Sequence, residues 1–290
     1  MSSTAGSEDH LPVDVLVTTG RDPLPLQEAD ALRLAAELGA RYVPRGTLGL
    51  SRLSAAAPAA PGSPPPAGEP AARRPRPLVL VVERQRLSLY ADGQELYYHP
   101  GMALQRIRRL RQGRPDPMVE AMELALGDRV LDATLGLAAD ALVASAAVGP
   151  EGRVVGLERV PVLAVLVREG LRRYPWPDAV VAAAAGRIEV RAADHRQWLR
   201  QQPAGSFDVV YFDVLFERPL SGSAAMAAWR RVAFEGALEP ETLEEACRVA
   251  RRCVVLKDRR DSTRLDALKP PRLMGGRSSR VAYGVWPARG

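Results

Sequence analysis

Between Gly127 and Asp258 short apolar runs alternate with stretches of helical spacing, and this rhythm constrains the fold more than any other feature of the chain. Strands are predicted at Arg129–Asp132, Arg153–Glu158, Ile188–Arg191, Phe207–Asp213 and Cys253–Asp258. Helical stretches at Ala139–Ala147, Val160–Arg172 and Pro240–Ala250 lie among them. Parallel strands need long crossovers, which helices supply, and strands covered on both faces read as near-continuous apolar runs. The expectation is an α/β domain, a mostly parallel sheet with helices on both faces.

In such sheets ligands sit outside the carboxyl ends of the strands. Asp132 ends the first strand, which opens into Ala133-Thr134-Leu135-Gly136, with Asp140 at the head of the next helix. Glu158 ends the second strand, 26 residues later; Asp194 follows the third, and Asp213 ends the fourth. Singly, each acid reads equally well as a cap, turn or surface residue. Together, in strand order, they form an acidic rim. Gly136 is the one glycine of the first turn, so no G-x-G-x-x-G fingerprint is present, and no P-loop lysine follows it. Carboxylates repel phosphates and suit a cationic, hydroxyl-rich ligand. S-adenosylmethionine has that chemistry: a sulfonium, an ammonium, a ribose diol and an adenine amine. Gly136 would let the backbone pass close to it, Glu158 would accept the diol, and Asp194 would accept the adenine amine.

Residues 1–53 read as a small β-α-β-like segment, with a strand at Val13–Thr18 and a helix at Gln27–Leu38 stopped by Gly39. In 54–77, eight of 24 residues are Pro and eight are Ala, a flexible loop with too little to pack a core. Residues 78–115 read as a hairpin, turning at Asp92-Gly93, and a basic helix, Met102–Gln112. Residues 116–290 form the main domain. Five arginines and no acid stand between 102 and 114. This is either a solvated helix face or a ridge meeting phosphates, with Arg106 and Arg109 the leading candidates. The net charge of +6 admits a polyanionic partner, although 38 of the 40 basic residues are arginine, a skew that a GC-rich genome also produces. No run of 18 apolar residues predicts a membrane span, and the polar N-terminus lacks a signal pattern, so a cytoplasmic setting is expected. Cys247 and Cys253 are too few for a disulfide framework or a cysteine-rich zinc site, and no metal is expected. His195 and Trp229 read as structural.

The stretch LDATLGLAADALVAS resembles motif I of class I methyltransferases. With VVGLER, FDVVYFD, VVLKDR and GGRSSRVAYG it is similar, from Asp116 to Tyr283, to the RsmJ-type family of ribosomal RNA guanine-N2 methyltransferases. The segments VTTG, YVPR and YYHPGMALQRIRRL resemble the leader of its YpiP-like branch. The resemblance implies a Rossmann-like sheet with an antiparallel last strand and a small N-terminal α+β region. It also implies S-adenosylmethionine as cofactor, and ribosomal RNA or the small ribosomal subunit as partner. Methyl transfer would be to the N2 amine of a guanine. Asp132, Gly136, Asp140 and Glu158 fall in the cofactor site, with Thr134 of the same motif. Lys257 and Arg280 match family positions for RNA contact or loop bracing. Asp213 would accept an N–H of the target amine, and Phe216 would stack on the base. The family's D-P-x-F motif is here Asp213-Val214-Leu215-Phe216. Without the proline ring to fix φ, this loop is expected to be less ordered before substrate arrives, and activity reduced. Two alternatives stay open: another acceptor, either a protein carboxylate or a small molecule, or a non-catalytic RNA-binding protein that keeps the cofactor pocket.

Overall fold

The structure is a computed structural model. It describes residues 14–50, 52–53, 77–91, 93–214, 238–276 and 279–289. The Pro/Ala-rich stretch 54–76, Phe216 and Trp229 lie outside them.

Two sheets share one helix. The larger has seven strands: β6 (Arg129–Asp132), β7 (Arg153–Glu158), β8 (Ile188–Ala192), β9 (Phe207–Asp213), β10 (Ala250–Arg259), β11 (Arg272–Met274) and β12 (Val281–Pro287). Their spatial order is β11-β12-β10-β9-β6-β7-β8, and β12 alone runs antiparallel to its neighbours. The predicted strands and the antiparallel last strand are thus present. The chain steps outward from β6 to β7 and β8, then returns to the other side of β6 as β9. That reversal makes a switch point between β6 and β9, where a crevice opens at the carboxyl ends. Helices α4 (Ala139–Val148), α5 (Pro161–Arg173), α6 (Ala179–Gly186), α7 (His195–Arg200) and α8 (Pro240–Val249) supply the crossovers.

The smaller sheet has the order β2-β1-β3-β4-β5. It comprises β1 (Val15–Thr19), β2 (Arg41–Tyr42), β3 (Leu78–Val82), β4 (Leu87–Ala91) and β5 (Gln94–Tyr97). The β1–α1 (Pro25–Glu37)–β2 unit is parallel, and β3 lies alongside β1 over five residue pairs. The hairpin therefore extends the N-terminal segment instead of standing apart from it. Both faces of β3 are buried, which explains its unbroken LVLVV sequence.

α5 joins the sheets. Val162 to Val167 are all buried, so this helix is apolar all round, as a helix between two layers must be. Val162, Leu163, Val165 and Leu166 pack on the small sheet, and Val167 and Leu171 on the core of the large one. The seam is closed by ion pairs: Glu37 with Arg168 at 2.6 Å and Asp30 with Arg173 at 2.8 Å. α2 (Ala103–Arg111) and α3 (Pro117–Met122) lead into the large domain, α2 through Ala103 and Ile107 on α4, and α9 (Thr263–Leu268) follows β10. Among the described residues no helix is long and apolar enough to cross a membrane.

Candidate active site

Strand register brings the rim together. Asp132 at the end of β6 is level with Tyr211 of β9 and Gly156 of β7, and Asp213 of β9 is level with Lys257 of β10. The turn after β6 then folds across the end of β7. Leu135 donates its amide to the Leu157 carbonyl at 2.9 Å. A Cβ on Gly156 would stand 2.3 Å from the Leu135 side chain, so only glycine lets the turn lie this low. Gly136 (φ +51°) and Ala138 (φ +59°) take left-handed conformations that turn the chain into α4.

One half of the rim is held by backbone amides. Asp132, 2% exposed, accepts the Thr134 amide at 3.1 Å. Burial drives its pKa well above the ordinary carboxylate value, and the charges of Asp140 and Asp213 push the same way. Glu158, 7% exposed, accepts the Val160 amide at 2.9 Å and is also held by the amides of Gly136 and Arg159. Burial outweighs those bonds and raises its pKa to about 7. Glu158 and the turn that carries Gly136 are thus in direct contact.

The other half is ionic. Asp140, in the first turn of α4, accepts from Tyr211 Oη at 2.7 Å, from Lys257 Nζ at 2.8 Å and from Arg106 Nη1. Arg106 also clasps Asp116 with two bonds, at 2.8 and 2.9 Å. Lys257 Nζ reaches Asp213 Oδ2 at 2.7 Å. Burial alone would raise the Asp140 pKa, but Lys257 and Arg106 hold it far below the ordinary value. For Asp213, burial and the Asp140 charge raise the pKa against the pull of Lys257. Thr134 ties the halves together, its hydroxyl accepting the Asp213 amide at 2.6 Å. The Asp213 side chain is 31% exposed, the most open carboxylate of this network.

Several expectations are revised by this geometry. Arg106 does not join a surface ridge: it lies on the same face of α2 as Ala103 and Ile107 and turns inward. Arg109, by contrast, is exposed, as is Arg280. Lys257 braces Asp213 and Asp140 instead of facing solvent, its side chain 20% exposed. Asp140 is a hub for neighbouring side chains, bonded to Arg106, Tyr211 and Lys257. Asp194 caps α7 and takes the Arg196 amide (2.8 Å), Arg196 Nε (3.2 Å) and Nη2 (3.0 Å) and Arg159 Nε (3.2 Å). Burial opposes its ionisation, but Arg196 holds its pKa at about 2. Three hydrogen bonds from Arg196 and an ion pair with Arg159 thus engage both of its oxygens. His195 packs edge-on to Phe212 at 5.6 Å, and burial lowers its pKa to about 4. Val214 is buried with Leu238 in the core, so packing anchors the first loop residue where a proline ring would have fixed it. Tyr211 and Asp116 complete the network and were not singled out from the sequence. Their signal lies in the i, i+2 relation of Tyr211 to Asp213 and in the capping position of Asp116 before Pro117.

The donor set fits S-adenosylmethionine. Carboxylates stand where a diol and an ammonium need acceptors, next to a turn that Gly136 and Gly156 allow to approach closely. Among the described residues no three His, Cys, Asp or Glu are grouped to hold a metal ion.

Residues 71–285 match the family described as "Putative SAM-dependent methyltransferase". The "Uncharacterized protein YpiP" of Bacillus subtilis is 42% identical over 189 residues, covering 65% of this chain and 74% of that one. The "Ribosomal RNA small subunit methyltransferase J" of Thioalkalivibrio sulfidiphilus is 32% identical over 228 residues, covering 74% and 86%. A crystal structure of a SAM-dependent methyltransferase from Neisseria gonorrhoeae matches with a TM-score of 0.60, over 95% of this chain and 96% of that one. At 19% identity this likeness shows a common fold.

Proposed function

The chain belongs to the SAM-dependent methyltransferase family, and from that premise we propose that it methylates small-subunit ribosomal RNA in the cytoplasm, at the exocyclic N2 amine of a guanine. The observation that carries the reading is Asp213: a carboxylate at the switch point, fixed by Lys257 and Thr134, one turn from the cofactor-binding loop. The RNA acceptor is supported by the name of the relatives called ribosomal RNA small subunit methyltransferase J.

When bound, S-adenosylmethionine supplies an electrophilic methyl group on a sulfonium. Glu158 holds the ribose diol, and the Asp132–Gly136 turn holds the methionine end. The exocyclic amine of guanine is a poor nucleophile because its lone pair is delocalised into the ring. Asp213 accepts one N–H and the Val214 carbonyl the other, which favours a pyramidal nitrogen. Asp213, its pKa raised, then takes the proton that the alkylated nitrogen sheds. Phe216 stacks on the base, and holding two reactants in line contributes up to ~7–11 kcal/mol. Stacking also offsets part of the cost of taking a base out of RNA, at ~1–3 kcal/mol per base. Arg109 and Arg280, both exposed, contact phosphates, whereas Arg106 positions Asp140 and Lys257.

Transfer of labelled methyl groups from S-adenosylmethionine to unmodified ribosomal RNA, with the modified position mapped, tests the proposal. Label in a guanine of the small-subunit RNA is the expected result. Label in protein, or in small molecules only, would overturn the acceptor and leave the cofactor chemistry standing.

A further inference from the structure

The same strands that end in acids begin in a basic cavity. It has a volume of about 480 Å³, within the roughly 300–1,000 Å³ of small-molecule sites. Arg129 opens β6, Arg153 opens β7 and Arg251 stands second in β10; Arg191, fourth of the five residues of β8 and level with Leu157, joins the lining beside its partner Glu189, with Trp198 and Ser206.

Three of the four guanidinium groups share two carboxylates there. Glu189 pairs with both Arg153 and Arg191. Asp208 reaches Arg251 at 3.7 Å and spends its other oxygen on the Arg129 amide at 2.7 Å. Arg129 itself lies over the Phe207 ring at 5.5 Å and makes no ion pair among the described residues. The side chains of Arg153, Arg191 and Arg251 are each about half exposed, so their remaining donors face the opening. Trp198, backed by Phe207 at 5.8 Å, supplies an aromatic wall. Excess guanidinium and an aromatic wall are what a nucleotide requires: a phosphate for the arginines and a base for the indole.

We propose that this cavity binds a nucleotide of the substrate RNA, phosphate among the arginines and base against Trp198. It lies at the opposite end of the sheet from the methyl-transfer site. β7 spans six residues, so Arg153 in the cavity and Glu158 on the rim, at its two ends, are separated by roughly 16 Å at ~3.3 Å per residue. An RNA that presents its target amine to Asp213 reaches this second contact around the β8 edge. The cavity is open to one side, which suits a nucleotide within a chain better than a free one. The inference rests on the RNA-methyltransferase reading.

The test begins with methyl transfer by the wild-type full chain to unmodified ribosomal RNA; failure there defeats the functional reading itself. With transfer established, the Arg153→Ala/Arg251→Ala variant is compared with the wild type in RNA binding. Glu189 keeps Arg191 and Asp208 keeps the Arg129 amide, so neither acid is left alone. The expected result is RNA affinity at least tenfold weaker, a salt slope flatter by roughly 1–1.5, and KM raised with kcat unchanged. S-adenosylmethionine affinity by calorimetry stays the same, and Trp198→Ala weakens RNA binding in the same direction. Unchanged RNA affinity in both variants would overturn the proposal. So would micromolar binding of free GMP that the double variant abolishes while RNA binding is untouched.

Discussion

The two halves of the acidic rim are built from the same residue types and are held in opposite ways. Asp140 and Asp213 face cations, Lys257 and Arg106, across a chain of charged hydrogen bonds. Glu158 and Asp132 take their hydrogen bonds, among the described residues, from backbone amides. Amides on fixed strand ends and turns set a carboxylate's position without neutralising it. The difference separates two tasks. The ionic half fixes the geometry of the acceptor for the target amine and stays charged at neutral pH. The amide half leaves carboxylates whose protonation responds to burial, so an incoming diol or ammonium decides their charge. Each variant below removes one element of one half.

The largest effect is expected from Lys257→Met. Among the described residues Lys257 is the one cation that bridges Asp140 and Asp213, and removing one partner of a buried pair costs about 3–5 kcal/mol. Chemical denaturation should show a loss of that size at pH 7, with a rise in the Asp213 pKa. The cation's contribution holds below the ordinary lysine value and is lost only as pH rises through the raised folded value, so neutral pH shows it in full. A loss below about 1 kcal/mol would be that of a surface pair and would dissolve the distinction between the halves.

Asp213→Ala comes next. It removes the acceptor and leaves the amide half intact. Single-turnover methyl transfer should fall about 10²–10³-fold, as when one preorganised hydrogen-bonding group is lost, with S-adenosylmethionine affinity within about twofold of wild type by calorimetry. Transfer that survives the change would place the reacting amine on another loop.

How much of this contrast was legible in the sequence depends on which half is considered. Asp132, Glu158 and Asp213 stand at strand ends because the alternation of apolar runs fixes where strands stop, and register does the rest. Arg106 was not legible. An arginine on a basic amphipathic helix reads alike whether its head turns out or in, and only the position of α2 against α4 decides. Its place on the face of Ala103 and Ile107 was the available sign. The pairing of β3 with β1 was hidden too, because residues 54–77 separate the partners and strand pairing across such a gap leaves no local trace. Asp194 was placed correctly at the end of its strand. Its engagement by Arg159 and Arg196 is a side-chain matter that spacing does not encode.

Glu158→Gln probes the amide half, and its signs run in two directions. In the free protein Glu158 is raised from its ordinary 4.5 to about 7. Its contribution to stability is therefore full below the ordinary value and lost as pH rises through about 7. The neutral glutamine escapes that loss, so the variant should melt higher than wild type at pH 8. Binding behaves oppositely. The ribose hydroxyls donate to the ionised form, so wild-type affinity for S-adenosylmethionine should rise with pH, approaching about tenfold per unit below 7, and flatten above it. The glutamine variant should lose the part of that pH dependence centred near 7 and, at pH 8, bind more weakly by about 1–3 kcal/mol. Calorimetry from pH 5.5 to 8.5 measures both. Matching wild-type and variant profiles would remove Glu158 from the cofactor site.

Val214→Pro, the smallest effect, tests how the two halves meet at the catalytic loop. The family motif has proline where Val214 stands. Asp213 already belongs to β9, and an extended residue is what a following proline demands, so the preceding residue is compatible with the ring. The Asp213 amide, bonded to Thr134, is untouched. Val214 is buried beside Leu238, so the substitution also removes apolar packing that now anchors this position. The gain from restricting the chain at a compatible site is about 0.4–1 kcal/mol. If that gain exceeds the lost packing and acts on the loop that presents the target amine, single-turnover transfer should rise about twofold to fivefold, with cofactor affinity unchanged. A fall in rate with a lower melting temperature would mean that burial at Val214 holds this position better than a ring does.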